Sequence, residues 1–133
     1  MKVLVTGASG LLGCGVARLL VRQGHQVTTF QRRPSGVEGA SDVAGSLTDD
    51  DAVRRAVADA EGVVHLAAKV SFTGRAADFD AVNVEGTRCL LRAARESGVR
   101  DLVFVSSPSV AYSGGAIAGL GGRTYVRICA PTA

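Results

Sequence analysis

The 133-residue sequence predicts an α/β domain on a doubly wound parallel sheet of order 3-2-1-4-5, truncated after about strand five. Short Val/Leu-rich runs alternate with segments of helical period, which implies right-handed βαβ crossovers and a parallel sheet. A glycine-rich turn joins the first such run to the first helical segment. The length suits one domain with one core and leaves no room for a second, substrate-binding domain.

The first strand is expected at Lys2–Thr6. A helix follows over Leu11–Gln23, where Leu12, Val16, Leu19 and Leu20 repeat at helical spacing and Gly24 supplies a left-handed stop. The β-branched run Gln26–Phe30 is the second strand, followed by Gln31-Arg32-Arg33-Pro34 and a Gly/Ser-rich loop through Ala40. Asp42–Gly45 is a weak third strand. Thr48 or Asp49 can cap a helix to about Ala60, with Ala52, Val53, Ala56 and Val57 on one face and Glu61-Gly62 ending it. Val63–Ala67 is the fourth strand. A longer helix is expected over Ala77–Ser97, with Leu90, Leu91 and Ala94 inward and Gly98 as terminator, before a fifth strand at Leu102–Ser106.

Composition narrows the functional classes. Hydrophobic residues make up 47% and charged residues 20%, with no apolar run near the roughly 20 residues that span a bilayer. Met1–Val5 runs straight into Thr6-Gly7 without a secretory pattern, so a cytoplasmic location is expected. Cys14, Cys89 and Cys129 are odd in number and widely spaced, which fits buried thiols rather than disulfides or zinc, and no metal is expected. The net charge of +3 is a mild excess that suits a phosphate-bearing ligand, and aromatics are too few for a nucleic-acid stacking surface. Arg18/Arg22 and Arg88/Arg92 fall at i,i+4 and are expected on solvated helix faces.

The stretch Thr6-Gly7-Ala8-Ser9-Gly10-Leu11-Leu12-Gly13 is the most specific signal. Between a strand and a helix, Gly7 permits the tight turn, Gly10 lets backbone approach a pyrophosphate, and Gly13 lets the helix pack against the sheet. The helix N-terminus then faces the phosphates with free N–H groups. A P-loop is excluded because no Lys-Ser/Thr follows the last glycine.

With its Gly-x-x-Gly-x-x-Gly spacing, the chain resembles the short-chain dehydrogenase/reductase superfamily, a Rossmann-like fold. MKVLVTGASGLLG, VVHLAA at 63–68, NVEGT at 83–87 and LVFVSSPSVAY at 102–112 resemble the extended, epimerase/dehydratase branch. Within that branch SSPSV is most similar to the 3-beta-hydroxysteroid and sterol-4-alpha-carboxylate dehydrogenases. The resemblance spans residues 1–118, taken as the dinucleotide-binding domain, and leaves 119–133 as an atypical tail. It implies that Asn83 lies near the phosphates, that Leu66, Ala67 and Ala68 line the adenosine side, and that Ser107, or Ser106, is the catalytic serine.

Where NAD-preferring sites carry an acid, this chain has Gln31, with Arg32 and Arg33 next to it. Two guanidiniums suit the 2′-phosphate of NADP, so NADP is favoured over NAD. Ser46, followed by Leu47, stands where the family has an Asp contacting adenine, and a Ser can still accept a hydrogen bond.

Hydride transfer at a carbonyl needs a proton donor, which this superfamily takes from Tyr-x-x-x-Lys. No such motif occurs: Tyr125 has Cys129 four residues on, no Lys follows Lys69, and Tyr112 is expected to pack. His25 and His65 are expected to be structural. Ser106, Ser107 and Ser109 lack the Gly-x-Ser-x-Gly elbow of a hydrolase. Two functions therefore stand: the cofactor domain of an oxidoreductase for a hydroxyl or keto group, inactive alone and with a sterol-like substrate implied by the resemblance, or a non-catalytic nicotinamide sensor acting through a partner. The tail suggests a truncated or frame-shifted product, and exposed apolar faces would permit a homodimer.

Overall fold

The computed structural model describes residues 1–71 and 73–107. Expectations placed on Ser109, Tyr112, Tyr125, Cys129 and the 119–133 tail lie outside the described residues. Five parallel strands form one sheet in the order β3-β2-β1-β4-β5, as the alternation predicts. They are β1 (Lys2–Thr6), β2 (Gln26–Gln31), β3 (Ala40–Ala44), β4 (Gly62–His65) and β5 (Asp101–Phe104).

The helices are α1 (Leu11–Arg22), α2 (Asp50–Val57), α3 (Ala76–Phe79) and α4 (Thr87–Glu96). Asp49 is the N-cap of α2: its side chain accepts the Ala52 N–H at 3.1 Å. The expected inward face of α2, Ala52, Val53, Ala56 and Val57, is the buried one. That helix stops at Val57, three residues before Ala60, because Ala60 N–H returns to the Val57 carbonyl in a turn. β4 ends at His65 rather than Ala67: the Leu66 N–H is shared between the Thr6 carbonyl and the Thr6 hydroxyl, and the Ala67 N–H goes to the hydroxyl.

Two expectations need correction. The long helix over 77–97 is not uniformly α-helical, since Asp80–Gly86 between α3 and α4 is π-helical. Close packing accompanies it: a Cβ on Gly86 would lie 2.7 Å from that of Leu47. The second concerns α1, whose apolar repeat is split: Val16 and Leu20 are half-buried, Leu20 against the core. Gly13 and Ala17 are buried, whereas Leu12 and Leu19 are 61% and 47% exposed. Short side chains let the helix axis approach β1, and Ala17 packs among Val3, Val5 and Val27. Cys14 and Cys89 are half-buried free thiols rather than fully buried ones.

The larger core lies between the sheet and α2/α4, around Leu4, Phe30, Val53, Val63 and Leu90. No helix among the described residues is long and apolar enough to cross a membrane.

Candidate functional site

In a parallel sheet all strands deliver their C-terminal ends to one edge, and the glycine turn sits there between β1 and α1. Gly7 has φ +78°, a left-handed value that favours glycine. A Cβ at that position would meet the Ala67 amide nitrogen at 2.8 Å. Gly13 is tighter, for a Cβ there would lie 2.3 Å from the Gly7 carbonyl oxygen. The Gly7 N–H donates to the Phe30 carbonyl at 3.1 Å, tying the turn to the end of β2. Helix α1 begins at Leu11 with neither a capping side chain nor an acidic residue in its first turn. Its first N–H groups and the positive end of its dipole are thus left to an anion.

Beneath the turn, Thr6 links β1 to β4. Its Oγ1 accepts the N–H groups of Leu66 at 3.2 Å and Ala67 at 3.1 Å and lies 2.7 Å from His65 Nδ1. With both lone pairs occupied, the hydroxyl must donate to Nδ1, so the proton of His65 is on Nε2. That nitrogen faces Thr87 Oγ1 of α4 at 3.0 Å and donates to it. The ring is wholly buried, and desolvation pushes its pKa down to about 4. His65 is structural, as its sequence context suggests, and it bolts together three elements under the site.

A cavity of about 320 Å³ opens above this floor. It brings together Gly7, Ser9 and Gly10 from the turn, Gln31 at the end of β2 with Arg32 and Arg33 after it, Ser46 and Leu47 after β3, and Leu66, Ala67 and Ala68 after β4. Phe30, Gly45, Lys69 and Val82 also line it and were not legible as site residues. Gly45 packs against the Phe30 ring, which a Cβ there would approach to 2.4 Å, a contact that only the fold creates. Of the remaining candidates, Thr6 lies below the cavity, and Leu11 is 97% exposed with Leu12 beside it at the start of α1. A larger groove of about 490 Å³ lies near the strand starts, around Lys2, Gln26 and Asp59. It holds none of the predicted residues and no helix N-terminus.

Gln31 is 8% exposed, and its Nε2 donates to Thr29 Oγ1 at 2.9 Å and to Asp42 Oδ1 at 3.0 Å. Its Oε1 is buried and has no hydrogen-bond partner among the described residues. Arg32 and Arg33 are exposed and form no ion pair among the described residues. Ser46 Oγ lies 2.8 Å from Thr48 Oγ1 and accepts the Thr48 N–H at 3.3 Å, shaping the loop before α2. Asn83 does not line the cavity. Its amide clasps Lys69, Oδ1 accepting the N–H at 2.7 Å and Nδ2 donating to the carbonyl at 3.0 Å, and so fixes the chain leaving β4. Ser106 and Ser107 are exposed and follow β5 at the same sheet edge, where the Val105 N–H still bonds the His65 carbonyl at 3.0 Å. Among the described residues no group of three or more His, Cys, Asp or Glu is placed to hold a metal.

Comparison with known proteins agrees with this geometry. The model of the NAD dependent epimerase/dehydratase family matches residues 3–120. A 2-alkyl-3-oxoalkanoate reductase of Stenotrophomonas maltophilia is 40% identical over 115 residues, covering 84% of this chain and 35% of that protein. A 3-beta-hydroxysteroid dehydrogenase of Mycolicibacterium neoaurum is 35% identical over 123 residues, covering 85% and 34%. Among solved structures, a short-chain dehydrogenase/reductase superfamily protein from Agrobacterium tumefaciens with bound NAD superposes with a TM-score of 0.76. It is 45% identical over 83% of this chain and 34% of that one. The chain thus spans about a third of the length of the curated relatives it matches.

Proposed function

The chain belongs to the NAD dependent epimerase/dehydratase family, and from that membership we propose that residues 1–118 are the cofactor-binding unit of a cytoplasmic oxidoreductase acting on a hydroxyl or keto group, with NADP favoured over NAD. The observation that carries the proposal is the cradle: a glycine turn that a Cβ at position 7 or 13 would close, an uncapped helix start, and a cavity rimmed by Arg32 and Arg33. In such a site the backbone N–H groups of the turn and of α1 hold the pyrophosphate, and Ala67 and Ala68 flank the adenosine. Arg32 and Arg33 take the 2′-phosphate. When bound, the nicotinamide supplies the hydride acceptor or donor.

Ser107, with Ser106 as the alternative, polarises the substrate oxygen in this reading. The sequence contains no Tyr-x-x-x-Lys to move the proton, so the chain by itself is proposed to be inactive. The name of the steroid dehydrogenase relative supports a sterol-like substrate.

Titration calorimetry of the folded protein with NADPH and with NADH tests the proposal. Micromolar binding with NADPH the tighter is expected, and Arg32→Ala/Arg33→Ala removes the difference. No binding of either nucleotide by the folded chain overturns it.

A further inference from the structure

Asp42 lies on the edge strand β3, directly opposite Thr29 of β2 in register. Its carboxylate accepts hydrogen bonds from three residues. The Thr29 hydroxyl donates to Oδ1, Gln31 Nε2 donates to the same oxygen at 3.0 Å, and the Ser35 backbone N–H reaches both oxygens at 3.2 Å. Ser35 follows Arg32-Arg33-Pro34 immediately. One carboxylate therefore fastens both ends of the segment 31–35 that carries the two cavity-lining guanidiniums.

The chemistry of Gln31 fits this partner and no other orientation. Both hydrogens of its Nε2 are taken by acceptors, Thr29 Oγ1 and Asp42 Oδ1. A flipped amide would set Oε1 against the Asp42 carboxylate, acceptor to acceptor. A carboxylate at position 31 would meet Asp42 as a like charge. An amide at the end of β2 and an acid on β3 thus form a matched pair, and the lowered pKa of Asp42, due first to the Thr29 hydroxyl, keeps its acceptor charged.

Resting on the NADP reading above, we infer that Asp42, which does not line the cavity, is a positioning residue for coenzyme choice: it commits the Gln31 amide to the sheet and anchors Ser35, so that Arg32 and Arg33 are held at the rim for a 2′-phosphate. The role is indirect, through the loop and not through charge. The two differ in sign, because removing a negative charge near a phosphate tightens binding, whereas releasing the loop weakens it.

The test measures dissociation constants for NADPH and NADH with the full chain and its Asp42→Ala and Asp42→Asn variants, alone and in the Arg32→Ala/Arg33→Ala background. Asp42→Ala should weaken NADPH by about tenfold, leave NADH within about twofold, and have no effect on NADPH once both arginines are gone. Asp42→Asn, which keeps one acceptor oxygen for Ser35, should fall between. Tighter NADPH binding in either variant, or an equal loss for both nucleotides, overturns the role of Asp42 while leaving the NADPH preference standing. Equal affinities in the unsubstituted chain overturn the preference and this inference together.

Discussion

Thr6 shows how much of the site hangs on one small side chain. Its hydroxyl accepts from Leu66 and Ala67 and donates to His65, an arrangement that works only while His65 Nδ1 is bare. A proton on Nδ1 would face a hydroxyl whose lone pairs are already taken, in a fully buried setting. The folded pKa, about 4, lies below the ordinary 6.5, so the folded state resists the proton that the unfolded chain accepts. The stability from neutral His65 is therefore complete above 6.5 and is lost as pH falls from 6.5 towards 4. The shift corresponds to about 3 kcal/mol. Asp42 and Asp50, with pKa values lowered from 3.8, and Glu61, lowered from 4.5, add their own losses towards the acid end, so the loss between 6.5 and 4.5 is chiefly that of His65. Denaturant midpoints compared at about pH 7 and 4.5 should show this drop, and a His65→Asn variant should lack it. A flat profile in the unsubstituted protein would mean that His65 is not held neutral.

At the scale of elements, strands and topology were readable because Val/Leu runs of strand length alternate with helical ones, and handedness then leaves few arrangements. The cap of α2 was readable to within one residue, Asp49 being one of the two offered. Helix α1 was readable only in part: Gly13 was expected against the sheet, but of the repeat Leu12, Val16, Leu19 and Leu20 only Leu20 joins the core, beside Gly13 and Ala17. Close approach is signalled by missing side chains, which a hydrophobic pattern does not register. The π-helical turn and the Asp42 network escaped for a related reason: both depend on partners distant in sequence. The Thr29/Gln31 alternation on β2 was the available hint. The geometry of α1 predicts opposite effects for one substitution at two positions. Gly13→Ala drives a Cβ into the Gly7 carbonyl and should cost about 2 kcal/mol and weaken nucleotide binding. Gly15→Ala meets nothing within 4 Å on an exposed face and should stabilise the helix by about 0.5–1 kcal/mol. Thermal denaturation of both variants decides it; equal effects would mean that α1 is rotated.

Across the whole molecule the two faces of the sheet are unequal. The α2/α4 side holds the larger core, whereas on the α1 side Val103, the register partner of Val64, is 42% exposed. The candidate cavity lies where the elements of both sides meet, and its walls come from segments following β1, β2, β3 and β4. A nucleotide held there touches four connections at once, none of which is assembled in the unfolded chain. Binding should therefore act as a stabiliser of the whole fold. By linkage, NADPH at a hundred times its dissociation constant adds about 2.7 kcal/mol, which raises the melting temperature of a domain this size by about 10 °C. Scanning fluorimetry across a NADPH series should show a logarithmic rise, shared by NADH at higher concentration and displaced to higher concentration by Gly13→Ala. If calorimetry detects binding and the melting temperature does not move, the nucleotide is recognised as well by unfolded chain as by folded. The preassembled cavity would then not be where it binds.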